Sequence, residues 1–216
     1  IPTQRMVVFP YKINGNKATL YTEDEISKLF PLGYSYPKRS EAILRNRERG
    51  RLLNDSQWFR YIYPKNLTLF DEVKLVAPEI SFGGNYAYDE KGEFYSTTKI
   101  YGYIKKRGVA ASYKSLMAIL NSSVMWYFMR NTGYVLRGGY YTFKTNYVKP
   151  FPIPSDSAIL AVEPKLLPIV DKILAAKKLD ANADIGKEER EIDNIVFDLY
   201  GLTPEEREAI GYIDIK

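Results

Sequence analysis

The chain has 216 residues, with 31 Lys and Arg against 26 Asp and Glu, and neither Cys nor His. Without cysteine there are no disulfides, iron–sulfur clusters or thiolate zinc sites; without histidine there are no imidazole metal sites, Ser–His–Asp triads or histidine bases. At 45% hydrophobic the chain can bury a core, which argues against global disorder. The length suits one large domain or two small ones. No apolar run reaches the roughly 18 residues of a membrane span, and no secretory leader is visible, so a cytoplasmic protein without a membrane partner is expected. Ile1 opens the chain without Met, so a piece of a longer protein is expected.

Residues 5–9 and 17–21 are β-rich, and Asn14-Gly15 between them signals a tight turn, so a hairpin is expected over 5–21. Thr22-Glu23-Asp24-Glu25 spells a capping box for a short helix that ends at Pro31. A second helical stretch follows Pro37, with Ile43 and Leu44 apolar and Arg45, Arg47, Arg49 and Arg51 on its other side. Residues two apart point about 200° around a helix axis, so these four cannot share a face; a solvated surface is the default reading. Trp58 is expected in a core. Residues 73–77 read as a buried strand stopped by Pro78, and strand character returns over 100–104. Between them lies the loop Phe82-Gly83-Gly84-Asn85-Tyr86.

Residues 112–130 form the clearest long helical region, which Asn121-Ser122-Ser123 divides by ending one helix and capping the next. The Gly- and Tyr-rich stretch 133–149 predicts a long loop or hairpin. Phe151-Pro152-Ile153-Pro154 cannot be regular helix or central strand and marks a boundary between domains 1–154 and 155–216. Helices are expected over 159–178 and 186–200, with a capped start at Thr203-Pro204. The acids of 180–208 read as a solvated helical face. The fold class is α+β: a mixed recognition domain of β-hairpins and helices, followed by an acidic helical tail.

Charge is unevenly spread. Residues 1–154 carry 23 basic and 12 acidic side chains, and 155–216 carry 8 and 14. The window 94–150 holds nine Lys and Arg, nine Tyr and no acid. A face of cations without carboxylates attracts a polyanion, and tyrosines add surfaces that meet sugars, phosphates or bases. Asp71-Glu72-Val73-Lys74 contains the Glu-x-Lys of a metal-dependent nuclease, but such a site needs another acid placed to share the metal.

Five segments together resemble the TaqI-like C-terminal specificity domain, the target-recognition domain of adenine-specific DNA methyltransferases and type IIG restriction–modification enzymes. They are Trp58-Phe59-Arg60-Tyr61-Ile62-Tyr63-Pro64-Lys65-Asn66, Lys74-Leu75-Val76-Ala77-Pro78-Glu79-Ile80-Ser81, Leu116-Met117-Ala118-Ile119-Leu120-Asn121-Ser122, Phe151-Pro152-Ile153-Pro154, and Glu191 through Thr203. The resemblance implies double-stranded DNA as ligand, one short word read in the major groove, and a separate methyltransferase domain in cis. That domain would bind S-adenosylmethionine, with Mg needed where the parent also cleaves. This chain has no Asn-Pro-Pro-Tyr-type tetrapeptide and no cofactor loop between a strand and a helix, so no catalytic, cofactor or metal residue is assigned to it.

Within 134–149, Arg137 can donate a bidentate pair to guanine, and Gly138 and Gly139 permit close approach. Tyr140, Tyr141, Lys144 and Asn146 extend the polar series, and the resemblance places recognition residues just before the Pro-Ile-Pro element. Asn85 and Tyr86 are candidates for a base edge, although an Asn closing a Gly-Gly turn accounts for the same letters. Arg60 and Lys65 are candidate phosphate contacts. Lys105, Lys106 and Arg107 suit a phosphate clamp or a solubilising turn. Two rival readings stay open: an RNA-binding module, favoured by exposed aromatics on a sheet, and a protein-interaction or scaffold domain docking through the acidic tail.

Overall fold

In a computed structural model describing residues 5–96 and 99–212, the Asn14-Gly15 turn closes a hairpin of β1 (Tyr11–Asn14) and β2 (Lys17–Leu20), with Asn14 opposite Lys17 and Tyr11 opposite Leu20. Gly15 takes the left-handed φ of +57° that the turn needs. The first strand starts at Tyr11, not within 5–9 as expected: the turn fixes the register, and Pro10 has no N–H to extend the ladder. The expected capping box forms on α1 (Glu23–Leu29), with Thr22 and Glu25 bonding each other's backbone N–H.

Next come α2 (Pro31–Lys38), α3 (Glu41–Arg45) and the brief turn α4 (Arg47–Gly50), where Glu48 and Arg49 have left-handed backbones. Ile26, Trp58 and Phe59 form the core of this first unit, which ends at Asp71. Two of the four arginines are structural. Arg45 donates to the carbonyls of Leu52, Leu53 and Asp55, and Arg47 to those of Leu44, Trp58 and Arg60.

The second unit, from Glu72, is built on β3 (Lys74–Pro78), with β4 (Ile80–Ser81) directly after it and β5 (Ala87–Asp89) and β6 (Ile100–Tyr103) antiparallel on its two sides. Helices α5 (Tyr113–Asn121) and α6 (Ser123–Thr132) follow. Then come β7 (Tyr141–Thr142), which pairs with β4, and α7 (Thr145–Val148). The chain finishes with α8 (Asp156–Leu179), α9 (Gly186–Leu199) and α10 (Pro204–Ile210). This is an α+β fold.

The division falls at Asp71/Glu72, whereas the sequence reading set its boundary after Pro154. Ile159, Leu166 and Val170 of α8 and Val196 and Phe197 of α9 are buried in one cluster with Leu75, Ile119, Met125 and Phe143. The prolines interrupt the chain without separating the cores. Nor do the acids of 180–208 all face solvent. Asp193 is 5% exposed and accepts from Ser123 N–H at 2.7 Å and from the Ser123 hydroxyl. Glu188 is buried and ion-paired to Lys172. Asp156 accepts from the N–H groups of Ala110 and Ala111, and Glu163 from Ser112 N–H and the Ser115 hydroxyl. The carboxylates of Asp156, Glu163 and Asp193 satisfy open donors at and before the starts of α5 and α6.

Candidate nucleic-acid interface

The stretch 134–142 is a hairpin. Thr142 N–H donates to Tyr134 C=O at 3.2 Å, Leu136 N–H to Tyr140 C=O at 2.6 Å, and Val135 bridges Tyr141. Its tip is Arg137-Gly138-Gly139, both glycines at positive φ (+82° and +79°). A side chain at either position would be strained, so the tip presents Arg137 beside bare backbone. Arg137 is exposed and has no side-chain partner among the described residues.

Tyr140 and Phe82, 48% and 41% exposed, meet edge-to-face at 6.3 Å beside the tip. Tyr141 points inward instead, half-buried against Trp126 at 5.2 Å. Lys144 and Asn146 are exposed after β7. Lys144 lies 3.5 Å from Glu79, whose carboxylate also takes Lys99 at 3.3 Å. No local pattern marked Glu79 as this anchor, because its lysines arrive from distant segments.

The three cations of 105–107 separate. The Lys105 ammonium donates to Ala111 C=O at 2.6 Å and lies over the Tyr113 ring; Lys106 and Arg107 are exposed and have no side-chain partner among the described residues. Arg130 and Lys149 are likewise exposed and unpaired, while Lys114 pairs with Asp171 at 2.6 Å. The acid-free window is thus partly neutralised by carboxylates from outside it.

Tyr86 departs from expectation. It is 4% exposed, its ring packed against Tyr103 and Phe143, and burial drives its phenol pKa well above the usual range. A ring held in the core cannot reach a base edge. Asn85 is exposed at φ +51°, but its amide donates to Ser81 and Phe82 and so closes the Gly-Gly turn. In the first unit, Arg60 is half-buried and paired with Asp55 at 3.0 Å, while Lys65 is exposed.

The model of the TaqI-like C-terminal specificity domain matches residues 21–153. The chain belongs to this family. It is also similar to the type II methyltransferase M.PaeR7I of Pseudomonas aeruginosa, 30% identical over 156 residues, which are 72% of this chain and 24% of that protein. A second relative is the type II methyltransferase M.BstVI of Geobacillus stearothermophilus, 26% identical over 184 residues, which are 84% of this chain and 29% of that protein. The matches thus span less than a third of either relative.

The segments that carried the resemblance are largely the scaffold of the specificity domain. Trp58 is wholly buried. Lys74 is buried and paired with Asp89 at 2.6 Å, a structural role for the lysine of the nuclease-like tetrad. Phe151 meets Phe128 edge-to-face and Tyr200 at a tilt, and Tyr200 donates its hydroxyl to Pro152 C=O. The Arg137 tip lies between these segments in the sequence. No described helix is long and apolar enough to cross a membrane.

Proposed function

We propose that this specificity domain binds double-stranded DNA and reads a short sequence for an adenine-specific methyltransferase of a restriction–modification system. The observation that carries the reading is Arg137: an unpaired guanidinium at a two-glycine tip, on a unit that also presents Lys106, Arg107, Arg130 and Lys149 without partners among the described residues. Free cations capture phosphate without regard to sequence, and a side chain on a thin tip reads base edges. Tyr140, Lys144 and Asn146 flank the reader; Lys65 offers a phosphate contact on the first unit.

In this reading the catalytic domain acts in cis within a bacterial cytoplasmic enzyme of the type IIG kind. S-adenosylmethionine, and Mg for any cleavage, belong to that domain. A Cβ on Gly84 would stand 2.4 Å from Leu120 C=O, so the Gly83-Gly84 loop is pressed against the end of α5.

The test is selection of a preferred duplex from a random pool, followed by fluorescence anisotropy. Arg137→Ala is expected to lose roughly 1–3 kcal/mol on the selected duplex and little on random DNA. Equal losses on both would rule out base reading by Arg137. The exposed Phe82–Tyr140 pair is the feature that favours the RNA alternative, since unpaired bases stack on such rings; single-stranded RNA that outcompetes the duplex would decide for it. A scaffold role for the tail has less support, because the apolar faces of α8 and α9 are spent on the core.

A further inference from the structure

A groove of about 400 Å³ opens on the second unit between β6, the start of α5, α7 and the Phe151–Ile153 element. Leu116, Leu120, Val148 and Phe151 are among its walls, and no Asp or Glu lines it. Ile104 and Ile153 stand partly exposed in its lining. Three lysines stand in the lining: Lys105, held to Ala111 C=O, and Lys106 and Lys149, both exposed and without side-chain partners among the described residues.

We propose that this groove binds an acidic, amphipathic peptide segment, with two or three apolar side chains against the walls and carboxylates on Lys106 and Lys149. The volume is that of a small-molecule pocket, roughly 300–1,000 Å³, so it takes a few side chains of the segment and not its whole length. Duplex DNA satisfies the lysines but offers phosphates and polar groove edges to an apolar wall, leaving that surface uncovered. A purely apolar segment covers the wall but leaves the two ammonium groups without a counter-charge, and charge complementarity is what selects among partners that fit equally well. Apolar anchors at regular spacing in a groove, flanked by complementary charge, form a recurring mode of peptide recognition. Lys106 and Lys149 are shared with the cations offered to phosphate, so peptide and duplex compete for them, whereas Arg137 takes no part in the groove.

The test titrates labelled peptides of about twelve residues into the full 216-residue chain, one alternating Leu and Glu and one alternating Leu and Lys, with anisotropy as readout. Saturable binding of the Leu–Glu peptide, roughly tenfold tighter than the Leu–Lys peptide, is expected. Lys149→Glu should remove most of that preference, and Ile153→Asp should weaken both peptides; both positions are exposed, and circular dichroism verifies that each variant is folded. No saturation, equal affinity for the two peptides, or a preference unchanged by Lys149→Glu would overturn the proposal. So would saturable binding of dodecanoate in place of the peptide, which would make the groove a fatty-acid site. Arg137→Ala leaves peptide affinity unchanged, so failure here is separable from failure of DNA reading.

Discussion

The Asn121 side-chain amide holds the Tyr86 backbone on both sides: its Oδ1 accepts from Tyr86 N–H at 2.7 Å, and its Nδ2 donates to Tyr86 C=O at 2.9 Å. One side chain thereby replaces a strand partner and fastens the Gly-Gly loop to the end of α5. The loop can come so close only because Gly84 has no Cβ, which would sit 2.8 Å from Asn121 Cα.

Asn121→Leu keeps the branching at Cγ but has no polar atom, so it leaves both Tyr86 backbone groups unpaired and a loss of at least about 1–3 kcal/mol is expected. Gly84→Ala should cost a similar amount, about 1–3 kcal/mol, because the contact is with backbone that cannot swing aside. Urea denaturation measures both. A midpoint equal to wild type in either variant contradicts the role assigned to this junction.

Asp193 joins α9 to the first residue of α6 through Ser123. Asp193→Ala strands a buried N–H and should cost about 1–3 kcal/mol. Burial pushes the Asp193 carboxyl pKa above its ordinary 3.8, outweighing the Ser123 hydrogen bonds. The folded state therefore holds this proton more tightly than the unfolded chain, and the stability tied to it falls as pH rises through the folded value. Asp193→Asn has no such titration, so its stability relative to wild type should improve as pH rises above the ordinary 3.8 of an aspartate. A difference that stays constant as pH rises would mean that Asp193 is not perturbed.

Local signals in the sequence were reliable where the physics is local. Asn14-Gly15, the Thr22 capping box and the Asn121-Ser122-Ser123 break each act over a few residues, and each appears where expected. Legibility ended at partnerships between distant segments. Nothing near Asp156, Glu163 or Asp193 shows that they bond backbone N–H groups 45 or more residues earlier, so Asp193, among the acids of 180–208, reads as part of a solvated face. Pro152 and Pro154 stop regular structure locally but say nothing about which core receives α8. The Arg137 tip was legible because Gly-Gly beside a cation is itself a local pattern; the fate of Tyr86 was not, since burial depends on what α5 and β6 bring to it.

Lys105, Lys106 and Arg107 read alike in sequence but should behave differently in solution. Lys106→Ala is expected to lower affinity for every duplex and to reduce the slope of log affinity against log salt by about one unit. Lys105→Ala removes the ammonium from Ala111 C=O and the Tyr113 ring, so it should lower the unfolding midpoint and leave the salt slope nearly unchanged. A slope that falls for Lys105→Ala and not for Lys106→Ala would invert this assignment.

Acid should release α8 from the start of α5. Hydrogen bonds from Ala110 and Ala111 N–H hold the Asp156 carboxyl below its ordinary 3.8. For Glu163, burial raises the pKa, but the bonds from Ser112 N–H and the Ser115 hydroxyl outweigh it, and the net shift is below 4.5. With both folded values depressed, their stabilisation is fully present above the unfolded values and is lost as pH falls through the folded ones. The deficit of a double Asp156→Asn, Glu163→Gln variant relative to wild type should therefore be largest above about pH 5 and shrink as pH drops below about 4. Hydrogen exchange at Ala110, Ala111 and Ser112 reports the same loss site by site. A deficit that grows toward low pH, or amides that stay equally protected in the variant, would show that these carboxylates do not anchor α8.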